Sequence, residues 1–127
     1  MSSGRPKEEW DVLSADAFIK ALHGDTVLNG RGEDVSFLQN QRVTINNVIV
    51  DEEVYMREGI VYKNAISIAN AQFISGFIIH GGCFESSFTF SRGYFQSGIK
   101  IYGGKFLIPM LFRGTIHVSF CNNGCHI

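Results

Sequence analysis

Phe84, Phe95 and Phe106 stand eleven residues apart, each just after a turn that contains glycine. Cutting the chain after each aromatic gives KNAISIANAQF (63–73), ISGFIIHGGCF (74–84), ESSFTFSRGYF (85–95) and QSGIKIYGGKF (96–106). LIPMLFRGTIH (107–117) keeps the register without its final aromatic. EEVYMREGIVY (52–62) and QRVTINNVIVD (41–51) fit if the paired apolar positions slip by one. A short unit repeated this often points to stacked copies, because one unit cannot bury its own apolar face.

Parity within the units predicts strands. Phe95, Ser97, Ile99 and Ile101 alternate with Gln96, Gly98 and Lys100, and Phe88 and Phe90 flank Thr89. An alternation of period two buries one face of a strand. SRG and YGG then supply glycine where the backbone turns. The expectation is an all-β fold, a β-solenoid of eleven-residue half-coils with about 22 residues per turn of the coil. An antiparallel β meander or a β-sandwich is the alternative. A single meander sheet would leave its phenylalanine face uncovered, whereas a solenoid closes its faces on one another.

The expected boundaries are a flexible N-terminus over 1–13 and a single domain over 14–127. Within that domain, 14–24 is a capping helix, 41–117 the repeat region and 118–127 a C-terminal cap. Ser14 suits the helix N-cap, Leu13 and Phe18 the staple positions beside it, and Gly24 the exit.

The repeats, with the preceding ADAFIKALHGDTVLNG, resemble pentapeptide-repeat and related right-handed β-helix proteins. That resemblance implies a short helix leading into coils with a central Phe or Leu. The family's five-residue rhythm is met in ANAQF (69–73), and the eleven-residue spacing departs from it. The glycine turns also look like those of calcium-binding β-rolls. HGGCF, SRGYF and YGGKF lack the aspartates that would hold the ion, so no cofactor is expected.

Charge narrows the partner. Residues 1–58 hold six Lys/Arg against eleven Asp/Glu, and residues 59–127 hold five against one, Glu85. The dispersed positive half makes nucleic-acid backbone binding a weak expectation. It also argues against DNA mimicry, which needs an acidic repeat face. No apolar run is long enough to span a bilayer, and MSSGRPKEEWDVL has no signal-peptide core, so no membrane contact and a cytoplasmic location are expected. Three cysteines do not make an even disulfide framework.

No catalytic set emerges. His80 and Cys83 occupy repeat slots filled elsewhere by unrelated residues, and Glu52 and Glu53 are neighbours that a strand would send to opposite faces. His117, Cys121, Cys125 and His126 are the strongest metal candidates. One such cluster with no second pair is a weak zinc pattern, and Asn122-Asn-Gly reads equally as a turn.

The expectation is therefore a non-enzymatic protein-binding module. An inhibitor of a larger enzyme, such as an anti-CRISPR, anti-defence or toxin-neutralising protein, is a concrete form suggested by size and class. Its candidate surface comprises two apolar outward stripes, with Ile74 and Ile78 in one and Leu107 and Leu111 in the other, which also suit a homodimer. Arg92, Tyr94, Lys100, Lys105 and Arg113 form its basic and aromatic part. A self-assembling structural solenoid subunit is the second expectation, and binding to a nucleic-acid backbone the third.

Overall fold

In a computed structural model, which describes residues 10–113 and 117–118, the alternating segments become parallel strands that stack in register. The N-terminal elements are β1 (Asp11–Leu13), α1 (Ala15–Leu22), β2 (Val27–Leu28), β3 (Asp34–Val35) and β4 (Leu38–Gln39). The first coil holds β5 (Arg42–Val50), β6 (Val54–Met56) and β7 (Val61–Tyr62). The second holds β8 (Ala65–Phe73), β9 (Phe77–Ile79) and β10 (Cys83–Phe84). The third holds β11 (Phe88–Phe95), β12 (Ile99–Ile101) and β13 (Lys105–Phe106), and β14 (Leu111–Arg113) and β15 (His117–Val118) begin a fourth. The described residues thus form an all-β solenoid of about three turns with one short helix. The antiparallel meander is excluded, since every coil-to-coil pairing is parallel.

One coil is 22 or 23 residues long. Phe77 pairs with Ile99 and Phe84 with Phe106, each 22 residues on, whereas Val50 pairs with Phe73, 23 residues on. The extra residue lies in the first coil, between Met56 and Val61. Four residues (57–60) turn the chain there, where three (80–82) suffice in the second coil. This is the slip visible in the upstream repeats. Gly81 makes it possible: a Cβ at that position would lie 2.7 Å from Glu58 Cγ and 3.0 Å from Glu58 Cα.

The two eleven-residue halves are not equivalent. Phe73 and Phe95 end long strands, while Tyr62, Phe84 and Phe106 end strands of two residues. The rings therefore form separate columns. Tyr62, Phe84 and Phe106 are stacked at 4.6 and 4.5 Å, with His23 laid on Tyr62 at 4.8 Å. Phe73 and Phe95 stack at 5.1 Å in another column. Edge-on contacts at Phe77–Phe90 and Phe90–Phe95 tie the interior together.

The long strands bend once. Asn47, Asn70 and Arg92 lie above one another at φ 58°, 52° and 59°. Before the bend Val43 and Ile45 face inwards, and after it Val48 and Val50 do, so the bend inverts the parity. Both arms then line one interior. Side-chain size compensates across coils. Val43, Ile45 and Val48 become Ile66, Ile68 and Ala71, then Phe88, Phe90 and Gly93, so the last position shrinks as the first two grow.

The N-terminal end is closed. Ser14 caps α1 by accepting from the Ala17 N–H, Glu52 accepts from the Ala15 N–H, and Gly24 exits at φ 89°. Phe18, Ala21 and Leu22 are buried against the first coil. Phe18 meets Phe73 and Phe77 edge-on at 5.3 and 6.0 Å. The first coil has only Val50 and Val54 at the corresponding positions, which leaves room for that ring.

Residues 11–13 depart from the expected flexible terminus. Asp11–Leu13 pair in parallel with Val48–Val50, and Leu13 is fully buried. The Gly30 N–H donates to the Val12 carbonyl, Asn29 donates to Asp11 and Glu33, and Arg31 bridges the same two acids. The Asn29 and Arg31 hydrogen bonds, with the Arg31 charge, hold the Glu33 carboxyl below the usual range. β4 covers the other half of the β5 edge through a two-residue turn, with Asn40 and Gln41 at φ 51° and 64°.

At the other end two expectations fail. Ser97 lies in an exposed turn, donating its hydroxyl to the Ile74 carbonyl at 2.9 Å, and does not continue the interior row. Ile108, which the outward placing of Leu107 and Leu111 would put inside with Met110 and Phe112, is 46% exposed, because the chain turns between β13 and β14 and resets its parity. The C-terminal cap expected over 118–127 lies outside the described residues beyond Val118.

Candidate functional site

Outward side chains of a parallel stack form rows along the coil, so each face presents a short column from every coil. The nine expected surface residues distribute over several such faces. Ile78 and Lys100 share the outer row of the β6–β9–β12 sheet, with Tyr55 as the third member. Lys105 stands beside Cys83 and Val61 on the β7–β10–β13 sheet. Ile74 is half-buried in the turn after β8 and is not in one stripe with Ile78. Leu107 and Leu111 are exposed on the last described coil, beside Ile108.

Arg92, Tyr94 and Arg113 do come together. Arg92 and Tyr94 lie on the outer side of β11, and Arg113 pairs with Ser91 on the next rung. A cleft of about 220 Å³ opens there, lined by Trp10, Asn70, Gln72, Arg92 and Tyr94 over Ala71 and Gly93. Its walls are aromatic, and its lining residues carry two carboxamides, a phenol, an indole N–H and a guanidinium. The nearest acid in the repeat region by sequence is Glu85, in the turn before β11. Such a cleft accepts planar or apolar groups against the rings and acceptors at the guanidinium.

The backbone at this cleft is unusual. Asn tolerates the left-handed conformation because its short amide bonds locally, and the first two coils place Asn at the bend. The Asn70 amide also donates to the Asn46 side chain at 3.5 Å. The third coil places Arg there at the same positive φ, with its side chain exposed. Strain of this kind persists where the surrounding structure holds it, and it marks candidate sites.

No family model, curated protein or solved structure matches the chain.

A second face is an array of three rows. Glu53, Tyr55 and Arg57 line the first coil, with Ile78 and His80 below them and Lys100 and Tyr102 below those. His80 touches Tyr55 at 5.6 Å and Tyr102 at 6.0 Å between ring centroids. Its ring is thus committed to this face, while Cys83 belongs to the next sheet. Above the array, between α1 and the first coil, lies a larger groove of about 390 Å³.

Among the described residues, no three His, Cys, Asp or Glu side chains cluster as metal ligands. Cys121, Cys125 and His126 lie outside them, and only the backbone pairing of His117 with Tyr94 is described. Among the same residues no helix is long and apolar enough to cross a membrane.

Trp10, Asn70 and Gln72 are the cleft residues that sequence reasoning missed. Trp10 fell in the segment read as flexible. The ladder was open to detection, since Asn47, Asn70 and Arg92 follow the 23- and 22-residue coil spacing.

Proposed function

We propose that the chain is a non-enzymatic binding module whose partner is a protein, engaged at the Trp10–Arg92–Tyr94 cleft. The observation that carries this reading is Arg92 at positive φ, in a ladder whose other members are Asn. A residue that costs stability where a better one stands on the two preceding rungs is best explained by what its side chain binds. Trp, Tyr and Arg are also the residues on which protein interfaces concentrate their energy. The partner surface would present carboxylates to Arg92 and Arg113. An inhibitor of a larger enzyme, with the stiff coil holding the cleft rigid, is the form that suits this size.

Arg92→Asn separates stability from binding. Asn adopts the left-handed bend at less cost than Arg, so the variant is expected to gain up to about 1 kcal/mol and melt a few degrees higher. Partner affinity should fall by about 2 kcal/mol, roughly thirtyfold. Affinity capture on wild-type and variant columns checks this: the specific partner should be retained by the first and lost by the second. Equal capture by both would overturn the reading. Salt-dependent retention of single-stranded oligonucleotide, lost in the variant, would replace the protein partner with nucleic acid.

Self-association of copies through the C-terminal end is a second reading. Leu107, Ile108 and Leu111 are 55, 46 and 48% exposed on one coil. Light scattering after size exclusion distinguishes the two: a discrete species fits the binding module, and a distribution of lengths fits the assembling subunit.

A further inference from the structure

We infer that the C-terminal end of the coil docks head to tail on the N-terminal end of a second copy of this chain. This docking presupposes the second reading above, self-association through Leu107, Ile108 and Leu111, and supplies the surface that those residues meet. Charge selects it. Residues 1–58 carry a balance of −5, with six Lys/Arg against eleven Asp/Glu, and residues 59–127 a balance of +4, with five against one. Successive coils follow one another along the axis, so one end of the molecule is acidic and the other basic. Two C-terminal ends would set base against base, and two N-terminal ends acid against acid. Head-to-tail contact alone joins unlike charges, and like charge across an interface works against the other two pairings.

The C-terminal end is apolar with a basic rim. Leu107, Ile108 and Leu111 are exposed there, beside Lys105 and Arg113, which are exposed too. Phe106 and Phe112 end the ring stacks on Phe84 and Phe90 and are half-buried, whereas Phe84 and Phe90 are buried. Among the described residues no strand pairs with the far edges of β12 and β13.

The N-terminal end sets leucines beside acids. The turn joining β2 and β3 lies on the free edge of β1, where the Gly30 N–H donates to the Val12 carbonyl. Leu28, 59% exposed, pairs with Asp34 on the outer face of the β2–β3 ladder, while Val27 and Val35 turn towards the core. Leu38, 41% exposed, lies against Gly24, its methyl carbons 3.2 Å from where a Cβ would stand, and the exposed Asp25 follows Gly24. Among the described residues Asp25, Asp34, Lys105 and Arg113 take part in no ion pair. Each end thus offers leucines beside unneutralised charges, acidic at one end and basic at the other. Apolar burial supplies the attraction, and the rim charges set which ends meet.

Light scattering and sedimentation velocity over an about hundredfold range of protein concentration test this. In low salt the average mass should rise past that of a dimer without a plateau, because a head-to-tail contact leaves both outer ends free. High salt, which screens the rim charges, should lower it. Leu28→Lys with Asp34→Lys blocks the N-terminal end, and Leu107→Gln with Leu111→Gln the C-terminal end. All four residues are exposed, so both proteins should keep the wild-type melting temperature. Each alone should associate at least about tenfold more weakly. Mixed, the two should form a one-to-one complex that grows no further, because each supplies the end that the other lacks. A dimer that persists in Leu28→Lys with Asp34→Lys would overturn head-to-tail docking and leave self-association through the C-terminal ends standing. A wild-type monomer at every concentration would overturn both. Overhauser contacts from residues 119–127 to Leu107 and Leu111 in that monomer would assign the apolar end to the chain's own segment. Arg92→Asn should leave the mass distribution unchanged, so this result and the partner capture fail independently.

Discussion

Phe95→Asp unfolds the protein, whereas Gln96→Asp changes its stability by no more than about 0.5 kcal/mol. The two residues are neighbours, and only their facing differs. Phe95 is completely buried, stacked on Phe73 at 5.1 Å and touching Phe77 and Phe90 edge-on at 5.7 and 5.4 Å. Removing a buried phenylalanine costs about 3–5 kcal/mol. A carboxylate left among these rings has no cation beside it and adds several kcal/mol more. The sum reaches the whole stability of a typical domain, about 5–15 kcal/mol. Gln96 is exposed, and its backbone N–H donation to the Phe73 carbonyl at 2.9 Å survives the substitution. Circular dichroism with urea titration reads both variants. Equal damage from the two would contradict the facing of this strand.

Phe18→Ala has the next largest effect, about 3–5 kcal/mol. Its ring is fully buried and covers Phe73 and Phe77 from the helix side. Val50 and Val54 beneath it are held by the parallel ladder, so neither can rise to fill the space. A cavity remains at the capped end, and the cost includes that cavity as well as the lost burial. Lys20→Ala on the same helix removes only an exposed pair with Asp16, and its effect should stay below about 0.5 kcal/mol. A sharper test replaces the missing ring from below: Val54→Phe in the Phe18→Ala background should recover part of the loss. Thermal melts of the four proteins check this. Full stability in Phe18→Ala alone would show that α1 is not the lid of the stack.

Much of this architecture is legible in the sequence because burial in a stacked coil is periodic. The spacing of Phe84, Phe95 and Phe106 sets the coil length, Ser14 and Gly24 bound the helix, and the inward facing of Phe95 follows from its alternation with Tyr94 and Gln96. The eleven-residue half-coil misleads for a physical reason. Aromatic residues end both a long strand and a two-residue strand in the second and third coils, so the letters repeat twice while the backbone repeats once. Ser97 and Ile108 were misplaced because parity holds within a strand and resets at each turn. The same reset hides the bend at Asn47, Asn70 and Arg92, where one left-handed residue inverts facing within a continuous strand.

The binding surfaces were less legible. Arg92 and Tyr94 could be chosen as basic and aromatic, but nothing local joins them to Trp10, which precedes them by most of the chain. Trp10 is brought there because β1 pairs with the far half of β5. Lys105, chosen on the same grounds, and Ile74, chosen as an outward apolar residue, face elsewhere.

Successive coils lie parallel and in register, with residues 22 or 23 apart side by side. Inter-strand nuclear Overhauser effects measure this directly. Backbone contacts of parallel type are expected to link Ile68 to Phe90 and Ile78 to Lys100, with ring contacts from Tyr62 to Phe84 and from Phe84 to Phe106. Antiparallel contacts between strands that follow one another across the turns, with those rings far apart, would contradict it.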